Sequence, residues 1–343
     1  MSKPSLGTPI VAIALSGALS LMVPQTAAAQ VEGAVAVTPH FAFFSDFQAN
    51  LHDALLNTGL ARSRKQPELL FAEGDSCFAR LAPSVRMAWN LAVDYYARTV
   101  SPGEFLGRAQ YLTRMHIAGF DEQLTDSSAR RFIGLARAFR DAAAPAYLAC
   151  RWETQDRQNR AWVTEVTGRL ARHEDAIARR LESLYQLRWA GLPMRVDVVQ
   201  TVSWAGANSV SRSIGGGHLM ISSAAYTGNA ALELVFHEGS HMLMGPESPF
   251  QRALASARSR GIAVPNDLWH VLQFFTTGYV VRQAIEQAGD SYRPLLYSIF
   301  DRGTWTPFRE VVEREWTPYL TGARPLEAAV SAVLKSLKPA PGS

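Results

Sequence analysis

The chain has 343 residues and a formal net charge of +4, from 34 Lys and Arg against 30 Asp and Glu. So small an excess argues against a nucleic-acid or anionic-membrane surface as its organising theme. Hydrophobic residues make up 48%, so a sizeable core is expected, in one large domain or two modest ones.

Residues 1–29 read as a secretory signal peptide. Lys3 precedes an apolar run from about Ile10 to Val23, and Ala27 and Ala29 form an A-x-A end before Gln30. The run is short and broken by Gly and Ser, which fits a cleaved leader better than a membrane span. An uncleaved anchor is the alternative. No Cys stands directly after the cleavage point, so no lipoprotein anchor is suggested, and no later segment approaches the length of an apolar membrane helix. The expected location is exported, periplasmic or secreted.

Residues 30–190 read as a helical N-terminal part. Apolar residues recur at helical spacing from Phe44 to Leu60, and the Phe-rich stretch FAFFSDFQANLHD reads as core. Pro83 opens a segment in which Val85, Trp89, Val93 and Tyr96 share a face, and Pro102-Gly103 ends it. EFLGRAQYLTRMHIAGF and SSARRFIGLARAFRDAAA follow, the latter with Ser127 or Ser128 as N-cap. From about Asp156 to Trp189, Trp162, Val166, Leu170, Ile177, Leu181 and Leu184 form one stripe, with Arg and Glu opposite. Cys77 and Cys150 are the two cysteines, too far apart for a C-x-x-C site. Export favours a disulfide between them; two buried free thiols are the alternative.

The pattern changes at Gly191-Leu192-Pro193. MRVDVVQTVSW alternates and is β-branched, so it reads as a strand. AGANSVSRSIGGG reads as a loop and HLMISSAAY as a second short strand. Asn229 is expected to cap a helix that Gly245 and Pro246 end. A further helix is expected from about Asn266 to Ala288. Residues 191–337 thus read as a second part of short strands and helices, with 338–343 as a disordered tail. The fold class is mainly α with a small β element, and the boundary near residue 191 leaves room for a shared core.

The chemistry concentrates in ALELVFHEGSHMLMGP, where His237, Glu238 and His241 spell H-E-x-x-H. Side chains at i and i+4 share a helix face, so two imidazoles can reach one ion. Zinc favours such ligands and leaves a position for water in catalytic sites, and a neighbouring Glu can take that water's proton. Two histidines and a glutamate among Leu232, Val235, Phe236, Met242, Leu243 and Met244 are costly unless paired or bound to metal.

Strand, strand and H-E-x-x-H helix, over about residues 195–290, resemble the core of the zincin metallopeptidases. The resemblance implies one zinc ion per chain, bound by His237 and His241, with Glu238 as general base. It also implies that the strand before the helix, Gly215 to Ser223, receives an extended substrate. The metzincin pattern fails, because Met244 stands where its Gly belongs and Glu247 where its third His belongs. The thermolysin-like spacing also fails, because it falls near Arg258 and Arg260. A gluzincin-like arrangement would take the third ligand from the later helix, which offers His270 and Glu286. His270, amid Leu268, Trp269, Val271 and Leu272, is preferred, with Glu286 and Glu247 as alternatives and a hydrogen-bonded core histidine as the bland reading.

Thr277 lies two turns beyond His270 and is a candidate to touch a ligand or substrate. Tyr226, Tyr279, Tyr292, Tyr297 and His218 are candidates to stabilise an oxyanion. Glu233 is one turn before His237, where it would orient a ligand or sit on the surface. His40, His52, His116 and His173 are expected in ordinary surface or core roles.

The leading expectation is an exported zinc-dependent hydrolase acting on a peptide or amide substrate. The alternatives are a zinc-binding module without turnover and an amidase for non-peptide substrates. No G-x-S-x-G is present, and SIGGGH lacks phosphate-loop spacing.

Overall fold

The computed structural model describes residues 31–64, 75–101, 107–121, 126–202, 206–211 and 216–337. The expected leader, 1–29, and tail, 338–343, lie outside these residues. The chain is mainly α-helical with one small five-stranded mixed sheet.

Two strands come early: β1 (Ala36–Val37) and β2 (Phe41–Phe44). Helix α1 (Phe47–Ser63) follows, capped by the Asp46 carboxylate, which accepts from Ala49 N. The Phe44–Leu60 periodicity therefore merged two elements: FAFF is a strand buried throughout, without the alternation that marks a half-exposed one. Next come α2 (Ser76–Arg80), α3 (Pro83–Tyr95), α4 (Arg108–Ile117), α5 (Ser127–Tyr147) and the long α6 (Glu153–Tyr185). Asp126, not Ser127 or Ser128, caps α5. Helix α6 stops at Gln186, whose φ of 55° closes the last turn in the left-handed region.

Strands β3 (Met194–Val199), β4 (Ala207–Ser211) and β5 (Gly217–Ser222) complete the sheet. Its order is β1-β2-β3-β5-β4, with β2, β3 and β5 parallel and the two outer strands antiparallel to their neighbours. Strand β4 corrects the loop reading of AGANSVSRSIGGG. Its Asn and Ser suggest a turn, but pairing with β5, Ser209 opposite Leu219, holds them extended. The topology also corrects the strand expected to receive substrate: β5 is paired on both sides, and β4 is the edge.

Helices α7 (Gly228–Ser240), α8 (Pro249–Ser259), α9 (Leu268–Gln287) and α10 (Leu295–Asp301) follow, and after several short turns the chain ends in α11 (Leu326–Ser336). Thr227, rather than Asn229, occupies the N-cap of α7, while Asn229 accepts from Arg169.

One face of the sheet carries Phe41, Phe43, Val196, Val198, Leu219 and Ile221 into a core shared with α6, α7, α9 and α11. That core takes β2, α6 and Trp189 from before residue 191 and its other buried residues from after it. The opposite face turns Val199 and Met220 toward Ala49 of α1 and Ile117 of α4. A separate cluster joins α1, α3 and α5 through Leu51, Leu55, Trp89, Val93, Tyr96 and Tyr147. Cys77 and Cys150 form a disulfide that ties α2 to the end of α5. Among the described residues no helix is long and apolar enough to cross a membrane.

Candidate metal centre

Helix α7 leaves the end of β5 and runs back across the sheet, so that Ala231 to Ser240 are all buried. Its last turn reaches the amino ends of the parallel strands. There a Cβ on Gly239 would come within 3.1 Å of both Met194 and Phe41, the first residues of β3 and β2. Glycine inside the motif thus sets the close approach of helix and sheet. Beyond Ser240 the helix tightens into a 3₁₀ turn, His241–Leu243.

His237 and His241 fall on one face, with ring centroids 5.0 Å apart. Helix α9 brings His270, in its first turn, against both, at centroid distances of 5.2 and 5.3 Å. One nitrogen from each of the three lies within 4.8 Å of the others, so together they are able to hold a metal ion. His270 Nε2 is 3.2 Å from His237 Nε2. Two nitrogens bound at 2.0–2.1 Å to a tetrahedral ion lie about 3.3 Å apart, so this approach fits a shared ion.

The electrostatics agree. Burial lowers the pKa of all three imidazoles: His237 well below the usual range, His241 to about 3 and His270 to about 4. The His241 and His270 rings add to the effect at His237, and His270 adds to it at His241, whereas Asp267 opposes it at His270. All three are therefore neutral at physiological pH, the form that binds metal.

Glu238 is 5% exposed, with Oε2 4.0 Å from His241 Nε2. Burial raises its pKa to about 7, against the opposing pull of a hydrogen bond with Ser209 of β4 and of the Arg114 charge. Arg114, on α4, is itself buried and donates to Asn208 of β4 and to the His218 carbonyl.

A polar seam locks α7 to α9 behind the histidines. Gln273 Nε2 donates to His237 O at 3.1 Å and to Ser240 Oγ at 2.9 Å, and Ser240 Oγ donates to His237 O at 2.8 Å. Thr277 joins through Ser240 at 3.3 Å, so its hydroxyl braces the two helices. Glu233 does not orient a histidine. It is wholly buried and accepts from Tyr292 OH at 2.7 Å and from Leu295 N, clamping the chain that leaves α9. His237 Nδ1 is buried without a hydrogen-bond partner.

The other expectations sort clearly. Glu247 and Glu286 are exposed, and Glu286 lies 16 positions along α9, about 24 Å from His270. Tyr292 is held by Glu233, Tyr297 lies beneath Arg293 and Arg309, and Tyr279 beneath Arg282. Tyr226 accepts Trp162 Nε1 through its carbonyl. His218 is on the other sheet face, 2.6 Å from Asp197, which Arg195 also holds. His52 bonds Tyr96 in the core, His40 bonds the buried Glu174, and His116 pairs with Asp121.

Aromatic rings that the motif did not reveal enclose the site. Phe274 is 4.0 Å from His237, Trp269 stacks on His270 at 5.0 Å, and Trp305 meets His270 edge-on at 5.2 Å. Trp305 has φ 58°, an uncommon conformation for a large residue, and its indole N–H donates to Asp267 at 3.0 Å. Phe274 and Trp269 were available from α9's periodicity; Trp305, on a distant turn, carried no local signal. Comparison of the chain with protein-family models, with curated proteins and with solved structures gives no match.

Proposed function

We propose that the protein is an exported zinc-dependent hydrolase with a zincin-like centre, and that its substrate is a peptide. The observation that carries this reading is the meeting of His237, His241 and His270, contributed by two helices, beside the buried carboxylate of Glu238. A structural zinc site usually fills four protein positions and has no need of an adjacent base. Three imidazoles with a neighbouring glutamate leave one position for water and supply that base.

His237, His241 and His270 would hold the zinc, which when bound would supply a Lewis acid to polarise a carbonyl and acidify water at neutral pH. Glu238 takes the water proton as the carbonyl is attacked and delivers it to the leaving amine. A carboxyl with a pKa of about 7 is well matched to that two-way transfer. Gln273 and Ser240 fix the backbone of His237, and Trp269 and Phe274 wall the site against bulk water. The outer edge of β4, which pairs with no further strand among the described residues, lies beside Glu238 and has main-chain groups that an extended peptide can pair with. The Cys77–Cys150 bridge supports export, since disulfides persist in oxidising compartments.

The test is Glu238→Gln, assayed on a mixed peptide library after zinc loading. Metal content should stay at the wild-type level while turnover falls by about 10²–10⁴. Undiminished hydrolysis in that variant would remove Glu238 from the mechanism.

A further inference from the structure

A cavity of about 350 Å³ lies on the other side of the molecule from the histidines. It opens where α1 leaves β2, where α6 begins, and where the chain leaves β3 at Gln200 and Thr201. These are the carboxyl ends of the parallel strands, the place where open α/β sheets hold ligands. The metal centre sits at the amino ends, beside Met194 and Phe41.

Most of the residues that line it carry polar side chains. Asn50, Asp53 and Asn57 form one buried stripe of α1, where a helix facing a core normally presents apolar residues. Gln155 and Gln158 face them from α6, and Gln200 closes the end. Burying so many polar groups costs free energy unless each finds a partner. Some do: Asn57 Nδ2 donates to Asp53 Oδ2 at 2.8 Å and to Thr201 O at 2.9 Å, and Asn50 Nδ2 donates to Val198 O at 3.1 Å. Two do not. Gln200 Oε1 is buried without a hydrogen-bond partner. Asp53, only 4% exposed, has one carboxyl oxygen engaged by Asn57, and among the described residues it forms no ion pair.

The charges of the walls cancel. Arg151, on the rim, is bridged to Asp75 and donates to the Cys150 carbonyl. Arg114 is the cation whose field reaches Asp53. Burial raises the Asp53 carboxyl well above the usual carboxylate range, against the pull of Arg114 and Asn57, and so favours its neutral form, which offers a donor as well as an acceptor. Amides and hydroxyls of both polarities with no net charge suit a neutral ligand rich in hydroxyl groups. A volume near the lower end of small-molecule sites suits one ring rather than a chain.

We infer that this cavity is a binding site for a small neutral polyhydroxylated molecule, of the size of a single sugar ring, distinct from the metal centre. The amides and hydroxyls of its walls bond the ligand hydroxyls.

The inference does not depend on zinc or on hydrolysis, and its test uses the full chain at neutral pH. Isothermal titration calorimetry is run with a panel of neutral hexoses, pentoses and N-acetylhexosamines, and with ethylammonium and acetate as charged probes. One neutral sugar should bind with millimolar or tighter affinity. Gln200→Leu and Gln158→Leu, the latter at an exposed position that tolerates leucine, should each weaken it about tenfold. Asp53→Asn should retain it, because an amide reproduces a protonated carboxyl. His270→Ala should leave it unchanged. The inference is overturned if no neutral member of the panel binds, if ethylammonium binds instead and Asp53→Asn abolishes that binding, or if neither glutamine variant weakens the sugar.

Discussion

At the residue scale, burial gives a few side chains their chemistry. Glu233 shows this apart from the metal centre. Burial lifts its pKa from the ordinary 4.5 to about 7, outweighing the hydrogen bonds from Tyr292 and Leu295 that favour its charged form. The folded chain thus keeps a proton that the unfolded chain releases between those values. Stability from this group is complete below pH 4.5 and declines as pH rises through about 7. Glu233→Gln has no proton to lose, so its melting temperature should fall less than that of the wild type over this range. Two parallel melting curves against pH would contradict the assignment. His237, Glu238 and His241 were legible because three residue types at helical spacing encode one chemistry. His270 was legible only as a choice between candidates, decided by its place in the first turn of α9. Glu233 was misread because its partners, Tyr292 and Leu295, lie some sixty positions away and left no mark near it.

At the element scale, the seam between α7 and α9 positions the three histidines, and small residues let it close. Gly278 of α9 faces Glu233 and the turn before α10. A Cβ there would lie 2.7 Å from the Pro294 side chain and 3.1 Å from Glu233 Oε1. Alanine favours a helix over glycine by about 1 kcal/mol, but overpacking a filled contact costs about 1–3 kcal/mol. Gly278→Ala should therefore destabilise the protein in urea unfolding; a stabilised variant would show that the contact yields freely. The helices were mostly legible from apolar spacing, within a few residues at their ends. The strands were less so. FAFF is buried on both faces and shows no period of two, and ANSVS has loop composition, so its extension comes from pairing with β5.

At the scale of the whole molecule, the N-terminal segment is part of the core that carries the three histidines. Phe41 and Phe43 of β2 and the stripe of α6 fill the space beneath α7. Nothing local in the sequence announces that β2 pairs with β3 across about 150 residues, which is why the boundary near 191 divides composition and not the core. The disulfide lies elsewhere, beside the cluster of α1, α3 and α5. Its cysteines are 73 positions apart. Closing a loop of that length restricts the unfolded chain by about 4 kcal/mol. The Cys77→Ser, Cys150→Ser double variant should melt at a lower temperature yet bind zinc as the wild type does. Lost metal binding at room temperature, with the helical circular dichroism intact, would tie the bridge to the site.

The most direct test of the central claim is metal content by mass spectrometry on the purified, zinc-supplied and dialysed protein, with His241→Ala and His270→Ala in parallel. The account predicts one zinc per chain in the wild type, lost in both variants while their circular dichroism stays native. A wild type that retains no metal, or a His270→Ala variant that retains it fully, would contradict the three-histidine centre.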